Sequence, residues 1–236
     1  MSRNYKERYQ DGNRKENRHG FLTALLGIVA SVCICFVVLV SVAELLLYPL
    51  GRMWFSREFD KYSVFENMQI EMSMDEALDV ADGMMDYLHG QKSAPGDFFT
   101  ERELKHLADC REIAENIFLL RWIAVVAIIV LLVLIKALRR HRAKRTIADT
   151  YAFTSILSFA GLGYLWYRAN QGFGELFEEF HQLMFDNNLY ILDPAEDNLI
   201  NLLPQGFFSD TALAIALMYI AVSVILLFLA RKYRKA

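Results

Sequence analysis

Long apolar runs alternate with charged segments along this chain, and the runs outlast an ordinary core helix. Phe21 to Ala43 carries no charge and is rich in Leu, Ile and Val. Ile117 to Ile135 is apolar except for Arg121. Thr150 to Tyr167 is uncharged but holds Thr154, Ser155, Ser158, Gly161 and Gly163. Thr211 to Ala230 is uncharged and runs into Arg231-Lys232-Tyr233-Arg234-Lys235. A helix needs about 20 residues to cross ~30 Å of hydrocarbon, and it is the simplest element that satisfies its own backbone in lipid. The pattern predicts an all-α protein: an integral membrane four-helix bundle with spans at about 21–44, 114–137, 147–168 and 210–230. Residues 21–230 then form a single four-span membrane domain between basic tails at 1–20 and 231–236. The first span follows a polar segment and is much longer than a typical signal-peptide core, so it reads as an uncleaved anchor.

The segments between spans carry shorter helical patterns. Ser73-Met-Asp-Glu76 is a capping box, followed by Met74, Leu78, Ala81, Met85 and Leu88 at helical spacing and closed by Gly90. Asp75, Asp79, Asp82 and Asp86 lie mostly off that stripe. This predicts an amphipathic helix lying on the bundle or the headgroups, with His89 at its surface end. Thr100-Glu-Arg-Glu103 is a second capping box, and no Pro or Gly separates it from the second span. One helix is therefore expected to run unbroken into the membrane. An upright helix would hold His106 about 16 Å above Ile117, beyond an interfacial layer of roughly 5–7 Å per side. Either this helix tilts, or the span starts earlier, with Cys110, Ile113 and Ala114 facing protein. After the third span, Asn170-Gln-Gly-Phe-Gly174 reads as a break. Phe173, Leu176, Phe177, Phe180 and Met184 then form an apolar stripe around His181. Asp193-Pro194 reads as an N-cap with Pro at the first helical position, before a short helix from Asp197 to Leu203 that ends at Pro204. This segment is too aromatic for a solvated loop and reads as a lid or re-entrant piece at the outer surface.

Charge orients the layout. Of 236 residues, 55% are hydrophobic and only 22% charged, with a net charge of −3. The near-neutral sum argues against nucleic-acid binding, which needs a basic surface. The charges are segregated, however. The N-terminal tail, the stretch Lys136 to Arg145 and the C-terminal tail are basic. Residues 51–112 hold seven basic and fourteen acidic residues, and 168–209 hold one and seven. The positive-inside rule makes both termini and the middle loop cytoplasmic and places 51–112 and 168–209 outside the cell membrane, as extracytoplasmic loops bearing the amphipathic helices.

The outer segments hold the candidate chemistry. His106 and Asp109 are three residues apart and share a helix face, where a carboxylate can orient an imidazole and favour its charged form. The bland alternative is an exposed ion pair of small consequence. His181 lies on the same side of the membrane. Metal binding would need further ligands at fixed spacing, and none is present. No G-x-S-x-G accompanies the outer serines, and Cys110, one turn from His106, reads more readily as structural than as a nucleophile. Three cysteines without C-x-x-C exclude a disulfide scaffold or zinc ribbon, and Cys33 and Cys35 inside the first span read as packing residues.

Two stretches resemble a known family. Phe98-Phe-Thr-Glu-Arg-Glu-Leu-Lys-His106-Leu-Ala-Asp109 is similar to the segment F-S-x-R-E-x-x-H-M-x-D-V-K of the lipoprotein intramolecular transacylases. Phe180-His181 through Asn187, Tyr190, Leu192, Pro194, Asp197 and Ile200 to Pro204 and Phe208 resembles its longer second signature, F-H-x-x-F-F-x-N-D-x-W-x-L-x-P-x-x-D-x-L-I…P-x-x-F-F. The resemblance covers roughly residues 21–230. Leu107, Cys110, Arg111, Asn188 and Tyr190 stand where the family has Met, Val, Lys, Asp and Trp. Asn188 removes a carboxylate that could orient His181.

The resemblance implies a bacterial membrane acyltransferase acting on diacylglyceryl-modified lipoproteins at the lipid surface. It would move one acyl chain from the glycerol to the α-amine of the lipoprotein's own N-terminal cysteine, giving a lyso-form lipoprotein. The nucleophile then belongs to the substrate, which accords with the missing protein nucleophile. An α-amine of pKa near 7.7–8.0 is largely protonated at pH 7, so a base must take its proton. His106 is assigned as general base and acid with Asp109 orienting it, and His181 as oxyanion stabiliser or relay partner. An exchange of the two histidine roles stays open. Arg111, Asn187, Tyr190 and Arg121 are the candidate substrate-binding residues, although Arg121 snorkelling to headgroups is the simpler reading. Gly161 and Gly163 either permit close helix approach, the default expectation, or leave room for a lipid tail. No cofactor or metal is called for, and a monomer fits the sequence. The rival class is a non-enzymatic assembly factor or sensor that binds a partner through its acidic outer loops. A transporter would want charge in the middle of its spans, and an intramembrane hydrolase a nucleophile beside a histidine.

Overall fold

The computed structural model describes residues 2–64, 72–91, 93, 96–139 and 142–235, with side chains from Gly20 to Arg234. The side chains of the basic N-terminal tail, Arg140 and Lys235 lie outside the described residues. Helix α1 spans Ser2–Leu47, α2 Gly51–Lys61, α3 Met74–Leu88 and α4 Glu101–Leu138. Then come α5 (Ala143–Met184), α6 (Asn198–Leu202) and α7 (Gln205–Lys235). No strand occurs among the described residues. Among the described residues three stretches are long and apolar enough to cross a membrane: Gly20–Leu47, Glu101–Leu138 and Gln205–Arg234. The expected third span lies within α5 and falls short of them in apolarity, because its Ser, Thr and Gly residues dilute the run.

At 1.5 Å per residue the 38 residues of α4 extend about 57 Å, roughly twice the hydrocarbon thickness. The membrane-length part is the apolar stretch in which Leu119, Ile123, Val126, Ile129 and Val133 are exposed to the surroundings. The preceding turns carry Glu101, Arg102, Glu103, Lys105, Asp109, Arg111 and Glu112 and stand outside it.

Two compact units partition the chain. The first comprises Met1–Val38, Arg121–Gly161 and Ile220–Ala236. Its helices present large apolar side chains outward, among them Ile156 and Leu157 of α5 and Phe228 of α7. Polar groups turn inward: Ser31 donates to the Gly27 carbonyl at 2.7 Å and reaches Thr150 Oγ1 at 3.4 Å. The close helix approach is at Gly27, where a Cβ would stand 2.7 Å from Thr150 Oγ1. Gly161 and Gly163 have open space around them, so the expected close packing does not occur there.

The second unit comprises Leu39–Leu120 and Leu162–Tyr219. Its core joins Trp54, Phe55 and Phe59 of α2, Leu78, Ala81 and Met84 of α3, Leu107 of α4 and Leu199, Leu202 and Phe207 near the start of α7. Helix α2 is absent from the sequence-based expectation, although Trp54, Phe55, Glu58 and Phe59 follow one face. Helix α3 packs on α2, and both capping-box bonds at Ser73 and Glu76 form. Its off-stripe acids are used: Arg52 binds Asp75, Asp79 and Asp82, and Tyr48 donates to Asp86. His89 is not a surface residue. Its ring stacks between Tyr48 at 4.1 Å and Phe118 at 5.0 Å, with Nδ1 at 3.0 Å from the Met85 carbonyl, just before the chain turns at Gly90 (φ +76°).

The segment after the break also differs from its pattern. The break itself is confined to Gly172, whose non-helical backbone kinks α5. Asp193-Pro194 does not start a helix. Asp193 caps a single turn by accepting from Ala195 N at 2.8 Å, and the helix begins at Asn198. Asp197 gives its carboxylate to Asp193 N and Thr100 Oγ1, at 2.8 and 3.3 Å, instead of to its own helix.

Candidate active site

One carboxylate joins the two signature segments. Glu103 is fully buried, and its Oε2 accepts the Thr100 N–H at 2.6 Å, closing the second capping box. Thr100 Oγ1 completes the box by accepting from Glu103 N at 3.3 Å. Oε1 of the same side chain accepts the N–H of Leu199 in the first turn of α6. Asn198 donates to the Phe98 carbonyl at 2.7 Å, and Arg102 donates to the Asn188 carbonyl at 2.9 Å. Sequence-distant backbone is thus locked together around the first turns of α4.

This lock brings the histidines together. The ring centroids of His106 and His181 are 6.1 Å apart. Phe185 lies 4.9 Å from the first and 5.7 Å from the second. Tyr190 stacks on His181 at 4.8 Å, and its hydroxyl donates to Glu178 at 3.1 Å. Phe177 meets His181 edge-on at 4.3 Å. His106 does not depend on tilt or on an earlier span to be sheltered: with the rings of His181 and Phe185 packed on it, it is 6% exposed.

The two imidazoles are held differently. His181 Nδ1–H donates to the Phe177 carbonyl at 2.7 Å, which places its lone pair on Nε2. His106 Nδ1 is buried and has no hydrogen-bond partner among the described residues. Its Nε2 stands 3.7 Å from Cys110 Sγ. Burial, reinforced by His181, pushes the His106 pKa down to about 4 against a smaller opposing effect of Asp109. Burial, followed by Asp109, pushes the Cys110 thiol up to about 12, so it remains protonated.

The remaining expected residues divide. Asp109 does not orient His106 by a hydrogen bond. It accepts from Asn187 Nδ2 at 2.9 Å, because its carboxylate faces the 187–189 turn, which Asn187 Oδ1 closes by accepting from Leu189 N at 3.0 Å. Tyr190 joins the histidine cluster, whereas Asn187 is tied to Asp109. Arg111 does not join it: Glu115 holds its Nε at 2.7 Å and its guanidinium covers Tyr87. Arg121 belongs to the first unit, with its guanidinium 5.7 Å over Trp122. Sequence reasoning missed the carbonyl of Phe177, the ring of Phe185 and the double cap of Glu103. The i, i+4 spacing of Phe177, His181 and Phe185 was the available signal for the first two.

The family model for "Lipoprotein intramolecular transacylase Lit" matches residues 28–208, well over half of the chain. The chain belongs to the lipoprotein intramolecular transacylase family. It is therefore an acyltransferase and a multi-pass membrane protein. Both histidines fall within the matched residues. Solved structures of the membrane integral lipoprotein intramolecular transacylase Lit from Bacillus cereus share its fold. One aligns with a TM-score of 0.72 at 20% identity, covering 92% of this chain and 97% of that one. Two versions of the same protein with one histidine replaced, by arginine or by alanine, give TM-scores of 0.73 and 0.70 at 20% identity. They cover 95% and 92% of this chain, and 97% and 95% of their own. No curated protein matches the chain.

Proposed function

We propose that this transacylase moves a fatty acyl chain from the diacylglyceryl group of a lipoprotein to the α-amine of the same lipoprotein's N-terminal cysteine. The observation that carries the reading is the buried pairing of His106 and His181, 6.1 Å apart, beside a Cys110 thiol that burial keeps protonated and so unactivated. Such a pair suits a reaction whose nucleophile arrives with the substrate. The amine nitrogen attacks the ester carbonyl and gives up a proton, an oxyanion forms, the glycerol C–O bond breaks, and the glycerol oxygen takes the proton.

The geometry favours exchanging the roles assigned from sequence. A base of pKa about 4 is some four units too weak for the amine, a deficit of about 5 kcal/mol. His181, with Nδ1–H held by a carbonyl and Nε2 free to accept, is the general base and later the acid. His106 stays neutral, and its Nδ1 faces the oxyanion. Asn187 holds Asp109, and Tyr190 flanks the base. Arg121 meets headgroups. Arg111 is paired with Glu115 and packed on Tyr87, away from the histidine rings.

The bilayer arrangement in this reading has four spans within one membrane domain, α5 supplying the third. The outward Phe153, Ile156 and Leu157 of α5 support that span. The basic segments put both termini in the cytoplasm and the histidines on the outer side. Exposed Phe180, Leu183 and Ile191 beside His181 give acyl chains an apolar approach.

Mass spectrometry of lipoprotein N-terminal peptides from cells expressing the chain tests the assignment. N-acylated, monoacylglyceryl cysteine is expected with the wild type and is lost with His181→Ala or His106→Ala. Unchanged diacylglyceryl cysteine with a free amine in wild-type cells would overturn it.

A further inference from the structure

Cys110 lies one helical turn beyond His106, at a position where the family segment has valine. A packing role alone would make the exchange neutral. Its sulfur, however, stands 3.7 Å from His106 Nε2, within reach of a sulfur hydrogen bond. The other ring nitrogen, Nδ1, is buried without a partner among the described residues, on a side chain only 6% exposed. A neutral imidazole carries one proton, so whichever nitrogen meets the cysteine decides what Nδ1 offers. A thiol is a weak donor and its sulfur a weak acceptor, whereas a bare imidazole nitrogen is a good acceptor. The favoured pairing is S–H to Nε2. Burial keeps the thiol protonated and the imidazole neutral, so both partners hold the forms this bond needs.

We propose that Cys110 is a positioning residue: its thiol donates to Nε2 of His106, holds that imidazole in the Nδ1–H tautomer, and so presents Nδ1–H as the donor for the oxyanion formed during acyl transfer. The last clause rests on the reaction proposed above; the tautomer itself does not. The proton on Nδ1 is never transferred. It shortens its bond to the carbonyl oxygen as that oxygen gains charge, and relaxes when the glycerol leaves. The same preference keeps His106 from competing with His181 for the amine proton, since its one lone pair is occupied by the thiol.

The test is ¹⁵N NMR of histidine-labelled full-length protein in micelles without substrate, with the His106 signals assigned as those lost in His106→Gln. The wild type should show a pyrrole-type Nδ1 and a pyridine-type Nε2 at this residue. Cys110→Val, which removes the donor, should shift the population toward the Nε2–H form, and Cys110→Ser, which restores a donor, should return it. With a synthetic diacylglyceryl peptide, Cys110→Val should lower kcat by about fivefold, the scale of one modest hydrogen bond, and leave KM unchanged. A wild-type Nε2 of pyrrole type, or a tautomer indifferent to Cys110→Val, would overturn the proposal. Because the tautomer is read without turnover, that failure is distinct from failure of the acyl-transfer reading, which the product analysis decides.

Discussion

His106 is a base that its surroundings keep uncharged. Its folded pKa of about 4 lies below the ordinary 6.5, so between these values the unfolded chain binds the proton and the folded chain does not. Stability therefore falls as pH drops through about 6.5 and stops falling below about 4, with a total penalty of about 3 kcal/mol. Above pH 6.5 the residue contributes nothing to the pH dependence. Thermal unfolding in micelles across pH 4–7 should show this acid loss, and His106→Gln, which cannot titrate, should remove most of it. An equally steep loss in the glutamine variant would show that another group carries it. His181 shows the complementary device. One carbonyl, that of Phe177, selects which nitrogen can accept a proton, with no charge nearby required to do so.

At the scale of elements, the decisive contacts join helix starts. Glu103 caps its own helix α4 and also accepts from the first turn of α6, so one side chain satisfies backbone donors of two elements. Glu103→Ala should leave one buried and one partly buried N–H without acceptors, at roughly 1–3 kcal/mol for the buried one and less for the other. Calorimetry should record the lower Tm, and limited proteolysis should cut within 186–197 of the variant before any other segment. Glu103→Gln, which keeps one acceptor oxygen, should recover part of the loss. A Tm unchanged by the alanine would remove Glu103 from this role. Both capping boxes, the helix through residue 101 into the apolar stretch and the interruption near Gly172 are legible in the chain, because each is a local pattern of donors, acceptors and backbone freedom. The Asp193-Pro194 turn is misread for a physical reason. The carboxylate of Asp197 is drawn to Thr100 and Asp193 N, and no local rule anticipates a partner so far away in the sequence. His89 is misread for the same reason, its stacking partners Tyr48 and Phe118 being distant in the chain.

At the scale of the molecule, the charge asymmetry makes a sidedness prediction. With Cys33, Cys35 and Cys110 replaced, a cysteine at Glu196, an exposed outer position, should react with a membrane-impermeant maleimide in intact cells. A cysteine at Arg145, exposed in the basic middle segment, should react only after lysis. The reverse pattern would invert the topology. Apolar run lengths, charge segregation, two capping boxes and the two histidine signatures are all determined by the sequence, because each depends on neighbours within a few turns or on summed charge. Only the tertiary structure decided that His106 and His181 share one buried cluster, that Asp109 serves Asn187 rather than the imidazole, and that Cys110 meets Nε2. Burial is a property of the assembled fold: the desolvation that sets the protonation of His106 exists only once the segment carrying His181 and Phe185 has closed on α4.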